Sequence, residues 1–291
     1  MDHPLVAPVV AWFAANARDL PWRSAGCSPW GVLVSELMLQ QTPVSRVEPV
    51  WLRWMERWPT PAALADARTD DVIRAWGTLG YPRRALRLQA CARAVVDGHG
   101  GQVPSTEHDL RALPGVGAYT AAAVASFAHH RRAVVLDTNV RRVLARTLGG
   151  LALPAAHTTV GEIRSAGAVV PTDPEGSRRW NAAAMELGAL VCTARAPRCS
   201  ACPVAHLCAW RLAGMPPPTT RTRRQPWAGT DRQARGRLMG ALRSAPGPVT
   251  PTELESSWPD ADQRGRALAS LVADGLVVRT ERPPERYGLP A

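Results

Sequence analysis

Cys192-Thr193-Ala194-Arg195-Ala196-Pro197-Arg198-Cys199-Ser200-Ala201-Cys202-Pro203-Val204-Ala205-His206-Leu207-Cys208 carries four cysteines with the spacing C-x6-C-x2-C-x5-C. One short segment therefore supplies four thiolates, enough to complete the coordination shell of a cubane iron-sulfur cluster. Zinc also takes four thiolates, but its structural sites usually pair two short C-x2-4-C knuckles, and this segment has one. Four unrelated buried thiols are the remaining alternative, and such crowding in a chain with 6 cysteines speaks against it. The reading is one [4Fe-4S] cluster on Cys192, Cys199, Cys202 and Cys208, with zinc as the rival. Cys27 and Cys91 are left over and read as small packing residues.

With 291 residues, 46% of them hydrophobic and 20% charged, the chain can bury one substantial core and a small second domain. No apolar run reaches bilayer length, and Met1-Asp2-His3-Pro4 lacks the layout of a secretory signal, so the expectation is a cytoplasmic protein with no membrane partner. Thiols in a reducing compartment bind clusters rather than forming disulfides. A net charge of +11 and a pI near 10.7 point to a polyanion as partner. All 35 basic residues are arginine, which excludes any reaction through a lysine Schiff base.

Helical periodicity dominates from residue 5 onward. Helices are expected over 5–18, 28–41, 46–57, 60–66, 69–77, 82–97, 158–168 and 176–191, with Ser28 as an N-cap and Pro29 at the first helical position. Residues 106–129 read as helix, tight turn, helix, and another helix starts near Asp137. The turn is Leu113-Pro114-Gly115-Val116-Gly117. Its glycines let the backbone turn sharply and bring amides close to an outside group, as a hairpin holding a DNA phosphate would, although a plain connector would look the same. Residues 213–230, rich in proline and arginine, read as a linker, and 231–291 as a separate unit. That unit reads as helices over 231–244, 251–257 and 262–274, then a two-stranded wing over 276–279 and 286–289, with Arg264 and Arg266 on its third helix. DNA binding and mere packing are both open to it.

The hairpin, the acid in Leu136-Asp137-Thr138-Asn139-Val140-Arg141-Arg142 and the cysteine quartet together resemble the helix-hairpin-helix DNA glycosylases with an iron-sulfur loop. Leu20-Pro21-Trp22-Arg23, Ser35-Glu36-Leu37-Met38-Leu39-Gln40-Gln41-Thr42 and Met185-Glu186-Leu187-Gly188 resemble the MutY type, the adenine DNA glycosylases. The resemblance spans residues 5 to about 212. It implies a two-lobed all-α fold: a six-helix barrel over 22–137, an iron-sulfur domain over 1–21 and 138–212, DNA in the cleft between them, and the winged-helix-like tail beyond. The sibling endonuclease III type has a catalytic lysine where this chain has Tyr119, so the implied reaction is hydrolysis of one N-glycosidic bond without strand cleavage.

Two carboxylates with opposite tasks are then needed. Glu36, among Val32, Leu33, Leu37, Met38 and Leu39, would hold a proton for the departing adenine, because an apolar setting raises a carboxyl pKa; a buried glutamate paired with arginine is the plain alternative. Asp137, at a helix start, would stay ionised and stabilise an oxocarbenium-like sugar, and an N-cap alone is its plain alternative. The resemblance assigns Tyr119 and Asn139 to orienting the acid and the water, and Gln41 and Tyr81 to the gap left by the flipped base. It places Trp22, Arg23 and Leu39 around the base, Gly115 and Gly117 on the phosphate, and the implied partner is double-stranded DNA containing a mispaired adenine. Arg195 and Arg198 of the cysteine loop would touch DNA, with Arg83, Arg84, Arg131, Arg132, Arg141 and Arg142 as further basic surface.

Three features depart from the family pattern. Gly-Leu-Gly-Tyr-Tyr becomes Thr78-Leu79-Gly80-Tyr81-Pro82, Asn181-Ala182 stands where many members read the adenine amino group, and the residues after the linker are too few for a Nudix-like domain. The reading is a monofunctional glycosylase removing adenine opposite 8-oxoguanine or guanine in base excision repair. The alternatives are a mismatch glycosylase for thymine opposite guanine and a non-catalytic lesion-binding protein.

Overall fold

A computed structural model describes residues 2–218, 227–280 and 284–291. The middle of the expected linker, 219–226, and the tip of the wing, 281–283, lie outside the described residues. Among the described residues fourteen α-helices carry the architecture and one two-stranded ribbon is the only sheet. The helices are α1 (Val6–Asn16), α2 (Pro29–Leu39), α3 (Val44–Arg57), α4 (Pro61–Ala65), α5 (Thr69–Trp76), α6 (Arg83–His99) and α7 (Glu107–Ala112). They continue as α8 (Ala118–Phe127), α9 (Thr138–Thr147), α10 (Val160–Val169), α11 (Pro174–Leu190), α12 (Ala209–Leu212), α13 (Asp231–Ser244) and α14 (Ala261–Ala273).

Local sequence sets many of these boundaries. The Ser28 hydroxyl accepts from the Gly31 N–H at 3.1 Å ahead of α2, and Thr159 and Glu162 close a capping box on α10. Asp137, Asp173, Thr230 and Asp260 cap α9, α11, α13 and α14 through their side chains. Each such cap contributes about 1 kcal/mol. The expected helix over 251–257 is instead a single 3-10 turn, Thr252–Leu254. Pro259 follows closely, and the Trp258 and Pro259 carbonyls accept from Arg264 rather than from a continuing helix.

Backbone contacts gather the chain into two compact units: Met1–Val32, Ser105–Ala112 and Val116–Thr222 in one, and Leu33–Pro104, Leu113–Gly115 and Arg223–Ala291 in the other.

In the first unit, Leu5 and Val9 of α1, Val140, Val143 and Leu144 of α9, and Trp180, Ala183, Ala184 and Leu187 of α11 share one buried cluster. Glu186 of α11 ties the N-terminal segment to it. Its carboxylate accepts from the Arg18 N–H at 3.0 Å, Arg18 Nε at 2.7 Å, Arg18 Nη2 at 2.8 Å and Arg23 Nη2 at 2.9 Å. Burial alone would raise this carboxyl, but the two guanidinium groups overcome it and hold the pKa at about 2.

In the second unit, Trp54 of α3 meets Trp58 and Trp76 edge-on, with ring centroids 4.8 and 5.6 Å apart, and joins α3 to α5. The tail does not stand alone here. Ala234, Leu238 and Leu242 of α13 and Leu268 and Leu271 of α14 share a buried cluster with Ile73 of α5, and Leu86 of α6 packs against it. The wing pairs β1 (Val278–Thr280) with β2 (Arg286–Gly288) antiparallel, with Arg279 opposite Tyr287. Arg264 is buried and spent on Trp258, Pro259 and Glu255, so it is a structural residue of the tail rather than a surface cation. Cys91 is fully buried, and burial pushes its thiol up to about 12, as expected of an inert packing residue.

Replacing Glu186 by Gln removes the partner of two partly buried arginines and should cost about 3 kcal/mol of unfolding free energy in urea titrations. In the parent chain the folded-state carboxyl lies below its ordinary value of 4.5, so the stabilisation is fully present above that pH and drains away as pH falls toward 2.

Candidate active site and cluster-binding loop

The hairpin closes α7 against α8 as its glycines require. Gly115 has φ +82°, and a Cβ there would lie 3.2 Å from Arg87 Cβ and 3.7 Å from Leu37 Cδ2. Gly117 is different: its backbone is extended at φ −91° and ψ 178°, and nothing lies within 4 Å of a Cβ added to it. Conformation therefore does not demand glycine at 117; the missing side chain leaves open space at the α8 N-terminus.

Asp137 caps α9 with both oxygens engaged. Oδ1 accepts from the Val140 N–H at 2.6 Å and Oδ2 from Asn139 Nδ2 at 2.7 Å. Asn139 is held from its other end, since Oδ1 accepts from Arg142 Nη2 at 2.8 Å. Arg142 also donates to the Gly188 carbonyl at 2.6 Å and to the Cys192 carbonyl at 2.7 Å. Burial pushes the Asp137 carboxyl above its ordinary value even against the Val140 amide, the Asn139 amide and Arg142. A helix start alone was expected to keep it low; enclosure outweighs that effect.

Helix α11 approaches Asn139 more closely than any side chain would permit. A Cβ on Gly188 would sit 2.6 Å from Asn139 Cβ and 2.8 Å from its carbonyl oxygen. Tyr119 of α8 packs with Met185 against Ala122, Ala123, Ala133 and Val135. Asn181 is buried and binds the Ser126 hydroxyl at 3.1 Å and the Ala133 carbonyl at 2.9 Å, which makes it part of the packing. Trp22 is buried in the 3-10 turn Pro21–Arg23, and Arg23 is committed to Glu186.

Glu36 sits on α2 at 5% exposure, between the fully buried Ser35 and the buried Leu37, with Leu33 one turn before it. Past the end of α2, Gln41 is exposed and adopts φ +58°, while Tyr81 adopts φ +47°; neither is glycine, so both turns are strained. Arg84 accounts for their persistence. Its Nη1 donates to the Leu37, Met38 and Gln40 carbonyls at 3.1, 2.8 and 2.5 Å. Its Nη2 reaches Thr42 Oγ1 at 2.8 Å and the Gly80 carbonyl at 3.0 Å. One buried cation thus satisfies the end of α2 and pins both turns together. Burial lowers its pKa to about 10, which still leaves it charged at neutral pH.

All four cysteines of the loop line one cavity, together with Val143, Arg146, Leu187, Val191 and Trp210. Arg146 braces the loop: Nη1 donates to Cys192 Sγ at 3.2 Å and to the Thr193 carbonyl at 2.8 Å, while its guanidinium lies 4.6 Å from the Trp210 ring. Burial pushes the Cys192 thiol up and the Cys202 thiol up to about 11, so loading metal must release protons. Four thiols lining one cavity match the ligand set that a [4Fe-4S] cluster takes.

Several arginines expected as basic surface are tied to the protein itself. Arg84 and Arg142 are buried, exposed Arg132 donates to the Gly167, Val170 and Pro171 carbonyls, and half-buried Arg141 is paired with Glu162 at 2.9 Å. Arg195 and Arg198 are both exposed, and Arg198 also donates to the Leu190 carbonyl at the end of α11. The roles of Arg84, Arg142, Arg146 and Gly188 were not legible beforehand. The only trace was that Arg142 and Arg146 lie one turn apart on α9 beside apolar Val143.

These features define a class of helical DNA-repair proteins organised by a glycine hairpin, a capping aspartate and a four-cysteine loop. The sequence profile described as HhH-GPD superfamily base excision DNA repair protein matches residues 34–159, and that of the iron-sulfur binding domain of endonuclease III matches 192–208. The chain is 52% identical to an adenine DNA glycosylase of Mycobacterium tuberculosis (strain CDC 1551 / Oshkosh), over 97% of this chain and 92% of the relative. It is 51% identical to one of Mycolicibacterium smegmatis, over 94% of each. Among solved structures, a thermostable thymine-DNA glycosylase superposes with a TM-score of 0.65 at 27% identity, covering 72% of this chain and 95% of that one. The chain belongs to the HhH-GPD superfamily of base excision DNA repair proteins; it is a DNA glycosylase that binds DNA and carries a [4Fe-4S] cluster.

Gly188→Ala should lose about 1–3 kcal/mol in urea unfolding because α9 and α11 must part, whereas Gly117→Ala should fold as stably as the parent. Elemental and labile-sulfide analysis of the purified chain should find iron and sulfide in equal amounts and no stoichiometric zinc; Cys202→Ala should lose both.

Proposed function

We propose that the protein is a monofunctional adenine DNA glycosylase that hydrolyses the N-glycosidic bond of adenine mispaired with 8-oxoguanine or guanine, acting as a monomer at the nucleoid. The observation that carries this reading is the 52% identity, along 97% of the chain, to a protein named adenine DNA glycosylase. In this reading residues 22–137 serve as the helical barrel and 1–21 with 138–212 as the iron-sulfur domain.

Glu36, buried among apolar residues of α2, protonates the adenine as the bond between the sugar carbon and the base nitrogen breaks and its electron pair leaves with the base. Asp137, fixed by Val140 and Asn139, faces the positive charge that develops on the sugar. That charge favours the ionised carboxylate and so offsets the upward push of burial. Water, oriented by Asn139 and Tyr119, then bonds to the sugar carbon and gives its proton to the Glu36 carboxylate left by the first step, which restores the acid. With no lysine in the chain, the product is an abasic site in an unbroken strand. Cys192, Cys199, Cys202 and Cys208 would hold the cluster, whose contribution when bound is to brace the loop that carries Arg195 and Arg198. Gly115 and Gly117 present backbone amides to a phosphate, Gln41 and Tyr81 enter the gap left by the base, and Trp22, Arg23 and Leu39 surround the base.

The test is a single-turnover assay on duplexes with adenine opposite 8-oxoguanine, guanine or thymine, scored with and without hot alkali. Adenine should leave from the first two, with breaks only after alkali. Glu36→Gln and Asp137→Asn should each slow release by at least about 100-fold. Inert adenine substrates alongside active thymine opposite guanine would instead favour the activity named for the superposed thymine-DNA glycosylase.

A further inference from the structure

Tyr81 is 43% exposed, and its aromatic surface is extended by residues of the tail. Arg232, in the first turn of α13, lies 5.2 Å from the Tyr81 ring centroid, and its Nη2 donates to the Tyr81 hydroxyl at 3.1 Å. The same guanidinium lies 5.1 Å from the ring of Trp227, which is 52% exposed. Of the eleven tryptophans in the chain, Trp227 is the one that is exposed; the rest are buried or half-buried. Its backbone is fixed, because its carbonyl accepts from the Thr230 hydroxyl at 2.8 Å in the cap of α13.

The neighbouring contacts hold this stack in place. Asp274 bridges Arg83 at 3.1 Å and Arg235 at 2.5 Å, linking the start of α6, two residues from Tyr81, to the first turns of α13. Arg84 fixes the strained Tyr81 turn from within, 5.6 Å from the ring. Two exposed aromatic faces flanking an exposed guanidinium form the surface that stacks an unpaired nucleic-acid base while attracting its phosphate. Burial elsewhere in the fold gives no reason to leave such a tryptophan in water.

We propose that Trp227 and Arg232 of the tail join Tyr81 in a DNA subsite that holds the base opposite the excised adenine once that base has lost its partner. The proposal rests on the glycosylase reading above, because excision is what leaves the opposite base unpaired. Trp227 supplies a stacking face, Arg232 supplies positive charge beside it, and Tyr81 is the element shared with the rest of the DNA contact.

The test needs no turnover. The full, cluster-loaded chain is titrated into a duplex carrying a tetrahydrofuran abasic analogue opposite 2-aminopurine, and into the matching fully paired duplex. The parent should prefer the abasic duplex and quench the 2-aminopurine. Trp227→Ala should weaken abasic binding about tenfold and relieve the quench while changing paired-duplex binding less than about twofold, and Trp227→Phe should behave as the parent. Arg232→Ala should lower the salt dependence of binding by about one charge. If Trp227→Ala binds both duplexes as the parent does, or weakens both equally, the subsite is wrong and the glycosylase reading stands. If the parent shows no preference for the abasic duplex, the glycosylase reading falls and the subsite with it.

Discussion

A buried guanidinium must find acceptors or pay heavily in lost solvation, and that constraint organises the region around Asp137. Arg142 meets it by donating to the Asn139 side chain, the Gly188 carbonyl and the Cys192 carbonyl. Those three partners belong to the residue that binds Asp137, to the helix that crosses it and to the first cysteine of the loop. Gly188 makes the arrangement possible, since any Cβ would strike Asn139. Arg146, one turn further along α9, repeats the solution with the Cys192 sulfur and the Thr193 carbonyl. A planar group with five donors in a fixed fork suits this work better than an ammonium would.

The same physics recurs in the second unit. Arg84 collects the carbonyls at the end of α2 and the Gly80 carbonyl, and so holds Gln41 and Tyr81 in conformations that non-glycine residues seldom adopt. Arg264 closes the tail in a similar way against Trp258 and Pro259. The arginine-only composition therefore has an inward consequence as well as a surface one. Charges that read as a DNA-facing field in the sequence are partly the internal ties of the fold.

The helices, their caps and the hairpin were legible because each follows from local rules. Ser28 with Pro29, and Asp137 ahead of α9, mark helix starts where they stand. The cysteine loop was legible because four thiols at such short spacing rarely serve packing alone and suit a metal cluster. Asp137 was recognisable as an acid at a helix start, but its titration was not, because enclosure of that start depends on segments distant in sequence. The short turn at Thr252–Leu254 was misjudged as a helix because Arg264, supplied by the next helix, takes the carbonyls that follow it.

The sequence by itself determined the all-helical class, the four-cysteine loop and the exclusion of lysine chemistry, since these depend on residue type and near-neighbour spacing. Tertiary structure alone decided which arginines face inward, why Gly188 tolerates no side chain, and that the tail shares a core with Ile73 and sets Arg232 against Tyr81. Local propensity acts over a few residues, whereas burial and close approach are set by elements far apart in the chain, such as Tyr81 and Arg232, 151 positions apart. No spacing rule along the chain encodes such a meeting.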